Sequence, residues 1–287
     1  MNSFLGLKIE TLSDGRMKFS QPKLIDKILK TYSIKSMSEK KFKLHSDPYG
    51  PVKQVKENDC VEDMKPIKQS EYLKLLGSLV CLVKLRPDLR AVCSFAATKN
   101  KNPTQGDFVD LLHIIDYIRE TREKGLVLNV KESDDDEFSL YCEVDASYRV
   151  YPGSKGYTGY CIGYFRTGFF HFKSIKQPLV STSSTHSEVR AIFTLTKDLI
   201  FCIDLCQELR INLKLPALLM KDNSAVLTVA MDETSMRKKG KHFMMLINYV
   251  RKQNKLNYIK VLMVTQRMVP RGNELWMHPI FLFLRQF

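Results

Sequence analysis

No apolar run in the 287 residues approaches the ~20 needed to cross a bilayer as a helix. The opening stretch MNSFLGLKIE has no signal-peptide hydrophobic segment. The expectation is an intracellular chain, cytoplasmic or nuclear, with no membrane partner. The seven cysteines (Cys60, Cys81, Cys93, Cys142, Cys161, Cys202, Cys206) form no CxxC pair and no Cys/His zinc spacing. Neither a disulfide framework nor a zinc module is therefore expected. Cys202 and Cys206, four apart in a helical stretch, read as reduced core residues. There is no internal repeat. Hydrophobic residues at 44% and charged residues at 26% exclude a disordered composition.

What the chain does have is positive charge: a formal net charge of +14 and a pI near 9.4. Such a surplus favours a polyanionic partner, nucleic acid first, because neutralising phosphates releases counterions. A lysine-rich soluble surface is the other reading. The length suits two domains with separate cores.

The first part reads as a short hairpin followed by helices. Phe4 to Ile9 alternates as a strand, Ser13-Asp14-Gly15 marks a turn, and Arg16 to Phe19 is the returning strand. From Pro22 the apolar positions Leu24, Ile25, Ile28 and Leu29 take helical spacing. Residues 45–66, with three prolines, a glycine and many charges, read as a loop. Tyr72, Leu75, Leu76, Leu79, Val80 and Val83 form an apolar helical stripe, broken at Arg86-Pro87-Asp88. A helix follows from Leu89, and another from Phe108 to Arg119. Ser133 to Glu137 is an acidic joint, read as a solvated linker.

Beyond that joint the period changes to two. Strands are expected over Phe138–Asp145, Tyr157–Phe165 and Phe169–Lys173, a long helix over Ser184–Leu209 with Phe193 among its buried residues, and a strand over Ala217–Met220. Helices at 224–230 and 241–252 and a last strand over Tyr258–Val264 complete the order. This is an α/β architecture in which three antiparallel strands precede crossover units.

Three acids sit where such a sheet could gather them. Asp145 and Asp222 end strands, and Glu188 lies in the first turns of the long helix. Rigid supports of this kind suit oxygen ligation of paired divalent ions, which activate water and stabilise a leaving oxygen in phosphodiester cleavage. Each acid also has a plainer role open to it. Thr185-x-x-Glu188 fits a capping box, Asp222 before Asn223-Ser224 fits an N-cap, and Asp145 could open a turn. Periodicity does not choose between these.

The motifs themselves resemble the C-terminal part of a Pol polyprotein from a copia-type LTR retrotransposon, from Phe4 to about Thr265. Phe4-Leu5-Gly6-Leu7-Lys8-Ile9-Glu10, Ser20-Gln21-Pro22 and Ile28-Leu29 resemble the segment after the polymerase active site. Tyr72 to Leu79, with Gly77-Ser78-Leu79, then Arg86-Pro87-Asp88-Leu89, and the stretch 111–126 resemble the following segments. The most specific run is Asp145-Ala146-Ser147, Thr158-Gly159-Tyr160, Ser174-Ile175-Lys176-Gln177, Ser183-Ser184-Thr185-His186-Ser187-Glu188, Asp222-Asn223-Ser224-Ala225 and Lys241-His242, in the order of the family's ribonuclease H part.

The resemblance implies a reverse-transcriptase palm remnant at residues 1–48, a helical thumb or connection segment at 49–131, a ribonuclease-H-like domain at 132–265 and an aberrant tail at 266–287. It implies cleavage of the RNA strand of RNA–DNA hybrids, with Asp145, Glu188 and Asp222 as catalytic, metal-binding carboxylates and Mg²⁺ (or Mn²⁺) as cofactor. It also implies a polymerase palm and fingers as protein partner. No YxDD motif is present, so a complete reverse transcriptase is not expected.

Departures from the pattern bear on activity. The family's fourth acid follows the last strand, where Pro270 and Arg271 stand here, and Glu274 lies three residues later. Met244 replaces an acid after Lys241-His242, and His186-Ser187 replaces the usual Glu-Ala before Glu188. Loss of a carboxylate and gain of a guanidinium both oppose cation binding. Three readings stay open: a ribonuclease, intact or weakened at its fourth position, an inactive remnant that binds nucleic acid through its basic surface, and a decayed reading frame whose product has no role.

Overall fold

The computed structural model describes residues 3–4, 6–32, 65–129, 138–148, 155–165, 167–231 and 241–263. By its own contacts the chain divides into two units, Met1–Val127 and Leu128–Phe287. Segment 45–64, the acidic joint at 133–137, Cys60, and the tail with Pro270, Arg271 and Glu274 lie outside the described residues.

In the first unit, β1 (Ser3–Phe4), β2 (Leu7–Thr11) and β3 (Met17–Ser20) pair antiparallel, with Ile9 opposite Phe19 and Thr11 opposite Met17. The single strand expected from Phe4 to Ile9 is interrupted at Gly6, whose φ of 80° suits glycine. β4 (Leu126–Leu128) lies beside β3. Pro22 opens α1 (Pro22–Thr31), where a missing N–H costs no helical bond. α2 (Gln69–Leu82) buries Tyr72, Leu75, Leu76, Leu79 and Leu82. Val80, expected on that stripe, is exposed, and Leu82 takes the buried place.

The Arg86-Pro87-Asp88 break is a 3-10 turn over Pro87–Leu89 that leads into α3 (Arg90–Ala97). Both charged residues of the break are buried. Arg86 Nη2 donates to Asp88 Oδ2 at 2.8 Å and Nη1 to the Thr121 carbonyl at 3.1 Å, while the Tyr117 hydroxyl donates to Asp88 Oδ2 at 2.9 Å. α4 (Gln105–Glu120) begins three residues before Phe108. Thr104 and Asp107 form a capping box there, a signal present in the sequence ahead of the apolar periodicity.

The second unit is built on a five-stranded sheet of order β7-β6-β5-β8-β9. β5 (Phe138–Ser147), β6 (Tyr157–Tyr164) and β7 (Gly168–Lys176) are antiparallel neighbours. α5 (Ser184–Glu208) crosses over to β8 (Leu213–Lys221), which runs parallel to β5. α6 (Ser224–Met231) and α7 (Lys241–Lys255) lead to β9 (Ile259–Met263), parallel to β8. Three antiparallel strands followed by parallel crossovers is the ribonuclease-H-like order expected.

β8 starts four residues earlier than the expected Ala217 and contains Pro216. The β5–β8 register shifts between Ser139 and Tyr141, opposite that proline, which has no N–H to give the ladder.

The core sits between the sheet and α5. Leu140, Cys142, Val144, Tyr160 and Ile162 of the antiparallel strands meet Val189, Ile192, Leu195, Leu199 and Ile203 of α5, with Leu219, Ile247 and Val261 completing it. Each such aliphatic side chain contributes about 1.5–3 kcal/mol through apolar area removed from water. Phe193, expected inside, is only half-buried and stacks edge-on against Tyr249. Met244 is partly buried against this core, so an apolar side chain suits its place.

Candidate functional site

The parallel pairing of β5 with β8 explains why two of the acids meet. Glu143 is paired with Met220. Two residues further along each strand come Asp145 and Asp222, so the register places them side by side where the parallel ladder ends. β8 itself stops at Lys221, and Asp222 is the first residue past it.

Glu188 is brought in by α5. The N-cap of that helix is Ser183, whose hydroxyl accepts the His186 N–H at 3.2 Å. The first helical turn is fixed to β5 by Ser187, whose hydroxyl donates to the Ser147 carbonyl at 2.9 Å. Because Ser183 caps α5, Glu188 has no capping-box role. Asn223, not Asp222, caps α6, its Oδ1 accepting the Val226 N–H at 3.2 Å. Asp145 lies inside β5, opposite Gly159, and opens no turn. The plainer roles available to the three acids are thus all taken by other residues or excluded by position.

What joins the acids is Lys221. Its side chain has 0% exposure, and its Nζ lies 2.7 Å from Asp222 Oδ1, 3.0 Å from Glu188 Oε2 and 3.3 Å from Asp145 Oδ1. Since all three oxygens touch one nitrogen, no two of them are farther apart than two such contacts end to end. Exposure is graded: Glu188 is 10%, Asp145 13% and Asp222 44% exposed. Burial lifts Glu188 to about 7, against the pull of Lys221, and the two neighbouring carboxylates add to the rise. Burial would lower Lys221, but the three carboxylates, Glu188 foremost, outweigh it and hold the ammonium above its ordinary value. Glu188 Oε2 is buried, and among the described residues its charged partner is the Lys221 ammonium.

Carboxylate oxygens suit Mg²⁺ or Mn²⁺ chemically, but as arranged these three do not fit one. Metal–oxygen contacts of ~2.0–2.1 Å leave no space for an ion and the Lys221 ammonium among the same three oxygens. Among the described residues, no group of three or more His, Cys, Asp or Glu is placed to hold a metal ion. Asp145, Glu188 and Asp222 do converge as a set, but on a lysine. Sequence reasoning missed Lys221 because it ended the strand at Met220. The available signal was a lysine closing an otherwise apolar strand run.

A second polar network frames the acids. Gln177 Nε2 donates to the Thr158 hydroxyl at 3.1 Å and to the Ser187 carbonyl at 2.9 Å, and its Oε1 accepts from the Ser181 hydroxyl at 3.0 Å. Gly156 lies against it: a Cβ there would stand 2.3 Å from the Ser147 carbonyl oxygen and 2.7 Å from the Ser187 hydroxyl. His186 is mostly buried, with Thr182 at Nδ1 and Arg190 donating to Nε2 at 3.1 Å. Burial first, then Arg190, lowers its pKa. The side chain of His242 is outside the described residues.

No protein-family model matches the chain. It is 25% identical over 189 residues to an uncharacterized mitochondrial protein of Arabidopsis thaliana, covering 66% of this chain and 73% of that one. It is 26% identical over 200 residues to the retrovirus-related Pol polyprotein from transposon RE2 of the same plant, covering 68% of this chain and 13% of the polyprotein. LC11-RNase H1, a compost metagenome protein solved alone and in complex with an RNA/DNA hybrid, is 14% identical and matches 51% of this chain, with TM-scores of 0.35 and 0.34. The chain spans 13% of the length of the Pol polyprotein that it matches, and the strand order of its second unit, three antiparallel strands followed by parallel crossovers, is ribonuclease-H-like. Among the described residues no helix is long and apolar enough to cross a membrane.

Proposed function

We propose that the second unit is a hybrid-binding ribonuclease-H-type module of a retroelement Pol polyprotein, which engages RNA–DNA duplex at the sheet end that carries Asp145, Glu188 and Asp222. The observation that carries this reading is the convergence of those three acids from β5, α5 and the end of β8. The net charge of +14 over the full chain favours a polyanionic partner of this kind. An RNA/DNA hybrid bound to LC11-RNase H1 guides the choice of probe. The setting proposed is inside the cell, in cytoplasm or nucleus, with a polymerase palm and fingers as protein partner.

Hydrolysis is the second reading. Mg²⁺ or Mn²⁺ held by Asp145, Glu188 and Asp222 would supply an activated water and charge stabilisation at the RNA phosphate. The Lys221 ammonium among the acids favours binding without turnover. The test is binding of a fluorescent RNA–DNA hybrid to the full chain across a salt series, followed by incubation with MgCl₂ or MnCl₂ beside an Asp145→Asn control. Expected is salt-sensitive binding and no cleavage above the control. Cleavage above the control establishes the hydrolase reading, and absence of hybrid binding at low salt removes both.

A further inference from the structure

We infer that Lys221 is the resident cation of the acid centre: its ammonium takes the place of a divalent ion, holds the three carboxylates together and keeps the site metal-free. The inference rests on the ribonuclease-H-type reading only in supposing that the acids would otherwise serve a metal. The side chain is buried, so the ammonium is shielded from bulk water. A buried ammonium is tolerated only where paired, and this one has an oxygen of each acid within 3.3 Å. The acids in turn would repel one another without a cation between them. Each side of the cluster therefore requires the other.

A lysine differs from a metal in ways that matter for chemistry. Its charge is one rather than two, it offers hydrogen bonds rather than open coordination positions, and it binds no water for activation. The centre it builds is an electrostatic joint between β5, α5 and the end of β8. Being tethered, this cation cannot be removed by a chelator.

Two measurements on the full chain, made without nucleic acid, test this apart from the hybrid-binding reading. The first is the sign of a stability change. In a metal site kept empty with EDTA, neutralising one acid relieves repulsion and raises the melting temperature. In a cluster built on a buried lysine, the same change removes an ammonium partner and lowers it. Expected is a lower melting temperature for both Asp145→Asn and Glu188→Gln in EDTA; a rise in both overturns the inference. The second is Mn²⁺ binding followed by electron paramagnetic resonance. Expected is no saturable Mn²⁺ binding by the unaltered chain. Lys221→Ala is expected to be destabilised in EDTA and to regain melting temperature on adding Mn²⁺. Saturable binding by the unaltered chain that Asp145→Asn abolishes overturns the inference whether or not Lys221→Ala folds. Failed hybrid binding with these outcomes intact would leave Lys221 in its role.

Discussion

The Gln177 amide links the end of β7 to the first turn of α5, donating to the Ser187 carbonyl at 2.9 Å, one residue before Glu188. The same amide nitrogen holds Thr158, and the amide oxygen holds Ser181. Three chain segments are thereby fixed around a side chain that takes no part in the acid cluster. Gln177→Ala is expected to lower stability by about 2–3 kcal/mol, since it leaves several buried polar groups unpaired. Urea unfolding measures this, and a loss below about 0.5 kcal/mol, the usual effect of a surface change, would contradict the clamp role.

Two glycines make opposite predictions. Gly156→Ala places a methyl against the Ser147 carbonyl and the Ser187 hydroxyl, and overpacking of backbone by a rigid group costs about 1–3 kcal/mol or more. Gly77, exposed within α2, has nothing within 4 Å of an added Cβ. Gly77→Ala is expected to stabilise the first unit by about 0.5–1 kcal/mol through helix propensity. Thermal melts of the two variants should move in opposite directions.

Arg86 and Asp88 are 2% and 1% exposed, so breaking their pair strands a charge away from water. Asp88→Asn is expected to cost about 3–5 kcal/mol, the usual range for removing one partner of a buried ion pair. Replacing both by apolar residues should cost much less than the two single changes added together. A double-mutant cycle by chemical denaturation reads this directly.

Asp198 sets part of the acid limb of stability. Burial raises its pKa, but the Tyr160 hydroxyl, Lys173 and His171 more than offset that, so the folded value lies below the ordinary 3.8. A lowered pKa means that the folded state binds this proton less readily than the unfolded chain. The contribution is present above 3.8 and is lost as pH falls through the folded value. Asp198→Asn should therefore reduce stability near neutrality and flatten its decline below pH 4, as followed by urea midpoints across pH.

Much of the second unit was legible in the sequence because period-two strands and a long amphipathic helix leave strong patterns. Ser184–Glu208 and Phe138–Ser147 match the expected spans closely. Boundaries failed where a local device overrode periodicity. Thr104 and Asp107 start α4 early, Gly6 splits the first strand, and β8 runs through Pro216 by shifting register. The three acids could be named from motif order, and their convergence follows from strand register, which a sequence pattern does not reveal. Lys221 was overlooked for a physical reason. A lysine after an apolar run reads as a solvated strand end, and its burial here depends on three carboxylates distant in sequence.

Asp145 belongs to β5, which has hydrogen-bonded neighbours on both sides, whereas Asp222 sits just past the end of β8 and is nearly half exposed. Amide exchange should accordingly be slowest around Asp145 and quicker around Asp222, since a central strand opens only with the whole sheet. The carboxylate cluster therefore has an anchored side and a yielding side. Solvent, salt and any approaching phosphate backbone meet it first from the Asp222 edge.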